Sequence, residues 1–370
     1  YFNPKIVVID ETTTALSQEG REELYKHMER IRKSGNTVIF ISHDLPEIIE
    51  KSDTITILRD GVYIDTVKSK DVNENDLKKL MVGREVTGDY YRSDYGEKVS
   101  DEVVLSVKDV TVPGLIENVS FDLHKGEILG FGGLSESGMH EIGKAIFGAS
   151  YDREGTVELA DGTQINDIPT AIKHSIAYTS KDRDNESVVL NQSIGDNICL
   201  PSLDELSGPA HLISDKKKKD FANKFAKQMS VKMVDVNQFV SNLSGGNKQK
   251  VVLARWIGKD SDIVVLDSPT RGIDIKVKQD IYQLMNQMRK DGKSIIIITH
   301  KLHEVLSLSD RAAVLRKGEY IGTVETDKTN ESELTEMMVG KKISLNIERS
   351  EPKDSADRLI VKNISCINRD

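Results

Sequence analysis

The chain has 370 residues, 38% of them hydrophobic and 30% charged, which is enough for two folded units with substantial cores. Its net charge of −9 argues against a protein that grips nucleic acid through phosphate contacts. No apolar run approaches the roughly 20 residues that span a bilayer; the longest aliphatic stretch lies around Ile295-Ile296-Ile297-Ile298.

The chain opens Tyr1-Phe2-Asn3-Pro4-Lys5, without an initiator Met or a signal-peptide pattern. Lys5-Ile6-Val7-Val8-Ile9-Asp10-Glu11 is a continuous apolar run ending in two acids. It predicts a buried parallel strand with carboxylates at its C-terminal end, where open α/β sheets place ligands. A helix is predicted over about 18–34, with Leu24, Met28 and Ile31 at helical spacing and Gly35-Asn36 ending it. Residues 37–43 read as a second buried strand that ends in His43, followed by a short helix over 45–52, a strand over 54–58, a turn at Asp60-Gly61 and the strand segment Val62-Tyr63-Ile64.

The block then recurs. Asp10, His43, Gly61 and Gly83 have counterparts 257 positions later in Asp267, His300, Gly318 and Gly340. Leu58-Arg59-Asp60-Gly61-Val62-Tyr63-Ile64 reappears as Leu315-Arg316-Lys317-Gly318-Glu319-Tyr320-Ile321. A gap-free repeat of this length implies two copies of one domain. The expected division is a C-terminal part of a first domain (1–84), a polar linker (85–101), a complete second domain (102–345) and a polar tail (346–370). By the offset, Tyr1 corresponds to Gly258, so the counterpart of about 104–257 is expected upstream and the chain is read as a fragment. In the tail, residues 359–365 are similar to 105–111 and form either the start of another copy or a terminal strand. Cys199 and Cys366 have no metal or redox spacing and are expected to be reduced thiols in a cytoplasmic protein.

The second domain opens with strands predicted over 103–112 and 116–123, and a hairpin at His124-Lys125-Gly126 leads into a strand from Glu127. Gly133-Leu134-Ser135-Glu136-Ser137-Gly138-Met139-His140 then follows a strand and opens a helix, the setting of the phosphate loop G-x-x-x-x-G-K-[ST]. The glycines fit. Met139 stands in place of the lysine, His140 in place of the Mg²⁺-binding hydroxyl, and Glu136 adds a negative charge. At about 4 Å and an effective dielectric of about 20, one such repulsion is on the order of 4 kcal/mol, an upper bound if the side chain points outward. A helical stretch is expected over 194–240, its Lys216 to Lys219 run forming a solvated face. Leu243-Ser244-Gly245-Gly246-Asn247-Lys248-Gln249-Lys250 precedes the apolar run of Val251, Val252, Leu253, Trp256 and Ile257. A turn feeding a buried helix leaves backbone N–H groups uncovered beside the positive end of the helix dipole, which suits an anion.

The signature string, the two Asp-terminated strands, the paired histidines and the duplication together resemble the tandem ATP-binding subunit of ribose/galactose/xylose-type ABC importers. The sugar branch rests on the Asn-x-Gln-Lys after the glycines and on Pro269-Thr270-Arg271-Gly272-Ile273-Asp274. The resemblance implies an α/β fold, a P-loop NTPase of the ABC ATPase type with one partial and one complete nucleotide-binding domain. It implies ATP and Mg²⁺ as cofactors, with Asp10 and Asp267 as metal ligands, Glu11 orienting the attacking water, and His43 and His300 at the γ-phosphate. Gly133, Ser135, Ser137 and Gly138 would cradle phosphate, while Ser244, Gly245 and Gly246 would close over the γ-phosphate held by the other domain. Thr14-Ala15-Leu16-Ser17 and Arg271-Gly272-Ile273-Asp274 would be the loops crossing between the domains. The pattern is asymmetric: Asp10-Glu11 is a complete pair, whereas Asp267 is followed by Ser268, which cannot act as a carboxylate base. Lys181 stands where the family carries Gln or Glu, and 112–115 lacks an aromatic for adenine.

The implied protein pairs its two ATPase domains head to tail and docks on integral-membrane permease subunits, with a solute-binding protein acting indirectly. It would sit at the cytoplasmic face of the membrane and bind no nucleic acid. A nucleoside or other small-polar-solute importer has the same architecture. A soluble tandem ABC ribosome factor is disfavoured by the short linker and the eroded second site. The fragment by itself is expected to be inactive.

Overall fold

The computed structural model describes residues 4–10, 12–16, 18–42, 44–59, 62–82, 99–134, 136–208, 212–273 and 275–341. Glu11, His43, Ser135, Asp274 and Cys366 therefore lie outside the described residues, as do most of the linker and the tail.

The first part contains β1 (Ile6–Asp10), α1 (Gln18–Lys33), β2 (Thr37–Ile41), α2 (Leu45–Lys51), β3 (Thr54–Arg59), β4 (Val62–Lys68) and α3 (Glu74–Val82). Strands β1 and β2 pair in parallel and β3 and β4 pair antiparallel. Leu45, Ile55, Ile57 and Leu77 form a small core between α2, α3 and the β3–β4 ribbon.

The second part runs β5 (Val103–Val112), β6 (Ile116–His124), β7 (Ile128–Gly132), α4 (Met139–Ile146), β8 (Glu154–Leu159), α5 (Ile168–Lys173), β9 (Ile176–Thr179) and α6 (Ile194–Cys199). It continues through α7 (Leu203–Leu206), α8 (Asp215–Gln228), α9 (Gly245–Lys259), β10 (Ile263–Asp267), α10 (Ile275–Lys290) and β11 (Ser294–Ile298). It ends with α11 (Leu302–Leu308), β12 (Arg311–Arg316), β13 (Glu319–Glu325) and α12 (Glu331–Val339).

Nine strands form one sheet in the order β8-β5-β6-β13-β12-β7-β11-β10-β9. From β9 through β12 all neighbours are parallel. Strands β7, β10 and β11 are buried along their whole length, as continuous apolar runs in a sheet covered on both faces must be. Each fully buried isoleucine of Ile295–Ile298 removes enough apolar surface to contribute about 2 kcal/mol.

The last seven helices and strands of the second part repeat the seven of the first part at one spacing. Strand β10 begins at Ile263 and β1 at Ile6, 257 positions apart, and the same offset separates α10 from α1, β11 from β2 and α12 from α3, at both ends of each. The tight turn between β12 and β13 uses Lys317 and Gly318, both at positive φ (52° and 86°), which suits a two-residue antiparallel connection.

Three expectations are corrected. Strands β1 and β2, expected to be buried, alternate exposed and half-buried positions, with Ile6, Val8, Ile39 and Ile41 exposed. The turn at His124-Lys125-Gly126 is not a hairpin, because β13 and β12 lie between β6 and β7. Strand β6 alternates buried and exposed positions and joins the antiparallel arm, whereas the uniformly apolar β7 goes to the parallel centre. The stretch 194–240 is broken into α6, α7 and α8, with Pro201 in the 3-10 turn Leu200–Ser202 between the first two.

Helix α9 is fastened to this region by Arg255, which is buried. Its guanidinium donates to the Asn197 carbonyl (2.7 Å), the Ser187 carbonyl (2.6 Å) and Asn197 Oδ1 (3.1 Å). Burial lowers its pKa to about 10, so it stays charged at neutral pH. Arg255→Met should leave these acceptors unmet and cost about 2–4 kcal/mol. Urea unfolding followed by the fluorescence of Trp256, the one tryptophan in the sequence, measures it; unchanged stability would mean that water satisfies the acceptors.

Candidate functional site

The parallel strands bring their C-terminal ends to one edge, and the loops there carry the candidate residues. After β7 the chain turns at Gly133 and Gly138. Gly138 has φ +88°, and a Cβ there would lie 2.3 Å from Ile116 Cγ2 and 2.8 Å from the Leu115 carbonyl, so a side chain is excluded. Ser137 N–H donates to the Leu134 carbonyl (2.9 Å), and the Ser137 carbonyl accepts from Gly318 N–H (3.0 Å). The amides of Gly138, Met139 and His140, at the start of α4, meet no acceptor among the described residues. The buried Ser137 Oγ likewise has no partner among the described residues. Met139 is fully buried and belongs to the main core, so it cannot take over the role of a phosphate-binding lysine. Glu136 is exposed.

Asp267 ends β10 with its side chain fully buried. His140 Nδ1 stands 2.7 Å from Asp267 Oδ1, with the imidazole only 2% exposed. Ser268 Oγ donates to the same oxygen (3.1 Å), and the Tyr178 hydroxyl approaches Oδ2 at 3.5 Å. Burial and the Asp267 carboxylate push the Tyr178 phenol well up, which keeps it a donor. His300 follows β11, and its ring packs edge-on against His140 with centroids 5.2 Å apart. Partial burial, with His140 beside it, holds the His300 pKa below its ordinary value. Ser268 has φ +51°, an uncommon conformation for a side-chain-bearing residue.

This donor set does not fit Mg²⁺. Magnesium takes about six oxygen ligands in near-octahedral geometry at about 2.0–2.1 Å and keeps several waters. Here a nitrogen occupies the place of the expected hydroxyl, and both Asp267 oxygens face protein donors. Asp10 differs: it ends β1 exposed, and its carboxylate accepts no hydrogen bond from a described residue.

Ser244 caps α9 with extended backbone, and its Oγ accepts from Asn247 Nδ2 (2.9 Å). The amides of Gly245 and Gly246 find no acceptor among the described residues. Lys248 Nζ bonds Asp184 (3.2 Å), and Arg183 bonds the same carboxylate (3.2 Å), tying the helix start to the turn at Arg183–Ser187. The structure thus joins Gly133, Ser137, Gly138, Asp267 and His300 in one edge cluster. Ser244, Gly245 and Gly246 make no hydrogen bond to that cluster among the described residues.

One pair of residues escaped the sequence reading. Glu304 is fully buried and accepts from Thr270 Oγ1 (2.7 Å), Tyr282 OH (2.8 Å) and Thr299 Oγ1 (2.9 Å). Glu47 is buried among Thr13 (3.1 Å), Tyr25 and Ser42 (2.8 Å). Each partner sits 257 positions from its counterpart, and that shared offset was the available signal. The glutamate ties the loop after the Asp-ended strand to the residue just before the histidine.

The ABC transporter family model matches residues 116–271. The ribose import ATP-binding protein RbsA of Lactococcus lactis subsp. cremoris is 38% identical over 339 residues, 91% of this chain and 68% of that protein. The xylose import ATP-binding protein XylG of Thermoanaerobacter pseudethanolicus is 40% identical over 344 residues, again 91% and 68%. Among solved structures, the dimeric post-hydrolysis ATP-binding cassette MJ0796 bound to ADP and Pi matches with TM-score 0.52 and 21% identity, over 60% of this chain and 98% of that one. The chain belongs to the ABC ATPase family, in the branch of the ribose- and xylose-import ATP-binding proteins.

Burial alone would raise the Glu304 pKa, but Lys301 and the three hydroxyls outweigh it and hold the carboxyl below its ordinary 4.5. Its stabilising contribution is therefore present above about pH 4.5 and lost as pH falls through the lower native value. Glu304→Gln should cost about 1–3 kcal/mol at pH 7 and flatten the acid limb of stability. Urea unfolding at pH 7 and at acid pH checks this; an unchanged acid limb would mean that Glu304 is not ionised in the native protein.

Proposed function

We propose that the protein is the ATP-hydrolysing subunit of a sugar importer, docked on membrane permease subunits at the cytoplasmic face and served indirectly by a solute-binding protein. The reading rests on the similarity to ribose- and xylose-import relatives along 91% of the chain. The division into a partial first domain, a linker and a second domain belongs to the same proposal, supported by the constant spacing of the repeated elements. In it the domains pair head to tail, so that Asp10, Glu11 and His43 face Ser244, Gly245 and Gly246. Asp10, whose carboxylate is exposed, is the candidate Mg²⁺ ligand, and Glu11 the group that orients water and accepts its proton. No described helix is long and apolar enough to cross a membrane, so contact with the bilayer would come through the permease.

The two sites should then be unequal. In the protein assembled with its permease, Glu11→Gln should reduce steady-state ATPase activity by about 10²–10⁴-fold, the usual worth of one positioned acid–base group. Ser268→Ala should change turnover by less than about twofold, since a neutral hydroxyl accepts no proton from water at pH 7. Equal losses in the two variants would reject the assignment of one hydrolytic and one eroded site.

A further inference from the structure

We propose that the second-domain site binds a nucleoside diphosphate without a divalent cation, the buried His140–Asp267 pair occupying the place where Mg²⁺ would be held. The inference rests on the reading of 133–140 as a nucleotide cradle and goes beyond it.

The position comes first. In a phosphate loop the residue after the lysine supplies a hydroxyl to the metal, and the Asp of the neighbouring strand completes its shell. His140 stands at the hydroxyl position on the first turn of α4, and its Nδ1 lies 2.7 Å from Asp267 Oδ1. Both side chains are essentially sealed from solvent, at 2% and 0% exposure. A hydrated Mg²⁺ would have to displace a packed ring that also contacts His300 and replace an oxygen ligand by nitrogen, against the preference of a hard cation.

The phosphate-binding half is nevertheless built. The amides of Gly138, Met139 and His140 open onto the loop without acceptors among the described residues. Ser137 Oγ, on a residue 2% exposed, has no partner among the described residues and is directed toward Gly133, where an added Cβ would lie 2.2 Å from it. Unpaired buried donors of this kind seek an anion or water. The loop lacks two cations, the lysine whose place Met139 takes and the divalent metal, three positive charges in all. A diphosphate carries one charge fewer than a triphosphate and suffers less from that loss, which favours it as the ligand class.

Two measurements test the proposal. Binding of radiolabelled ADP by equilibrium dialysis, in Mg²⁺ and in excess EDTA, should show about one ADP per chain retained in EDTA, with affinity changed less than about twofold. Electron paramagnetic resonance of Mn²⁺ at saturating ADP should find one more Mn²⁺ per chain in His140→Thr than in the parent, and ADP binding by that variant should weaken at least tenfold in EDTA. His140→Asn, whose amide can still donate to Asp267, should keep the parent Mn²⁺ count. Release of ADP from the parent by EDTA, or equal Mn²⁺ counts in parent and His140→Thr, would overturn the metal-free site. No ADP binding by the parent in either condition would overturn the nucleotide cradle as well. If His140→Thr does not fold, the EDTA result on the parent decides.

Discussion

The parallel pairing of β7, β11 and β10 is the constraint on which the candidate site depends. Because the three strands run the same way and are neighbours, their C-terminal ends deliver the glycine loop, His300 and Asp267 to one edge. The pairing sets Phe131, one residue before the end of β7, opposite Ile298, and Ile298 opposite Asp267, which end β11 and β10. Helix α4 packs across β10 and β11, and for that reason its second residue can reach an aspartate 127 positions away. A one-residue slip of β10 would turn Asp267 to the opposite face.

Much of this could be read from the chain. Apolar runs and Gly-Asn and Gly-containing ends predicted the limits of α1, β2, α2 and β3 to within two residues, although the segment at 62–64 stops four residues short of the end of β4. What a linear pattern does not carry is which strands become neighbours. The β6–β7 turn has the residues of a hairpin, yet the two strands part, since a strand buried on both faces and one buried on a single face belong to different regions of the sheet. The His140–Asp267 pair was hidden for the same reason: it needs the packing of α4 on β10. The motif reading saw only that His140 was the wrong residue for a metal loop.

The two glutamates separate scaffold from chemistry. Thr13, Tyr25, Ser42 and Glu47 make the same network as Thr270, Tyr282, Thr299 and Glu304. Each buried carboxylate accepts from three hydroxyls and so fixes each hydroxyl's segment. The loop after Asp267 and the end of β11 are therefore held whether residue 268 is glutamate or serine.

The charges around the second loop explain how an altered cradle can stay compatible with an anion. From sequence alone, Glu136 threatened a repulsion of up to about 4 kcal/mol toward a phosphate. Its side chain is exposed, where water screens it. Asp267 is the more serious charge, because it is buried and a bare carboxylate there would oppose phosphate binding in a low dielectric. In a metal-dependent site the cation offsets that charge. Here His140 and Ser268 direct their hydrogen-bonding atoms at one Asp267 oxygen and Tyr178 at the other. Under the proposed metal-free site, His140 stands where a metal ligand would be expected and is itself a close partner of the aspartate. Histidine at 140 and aspartate at 267 are best understood as one unit: without Asp267 the sealed imidazole loses the partner of its Nδ1, and without His140 the buried carboxylate keeps only Ser268 and the long contact to Tyr178.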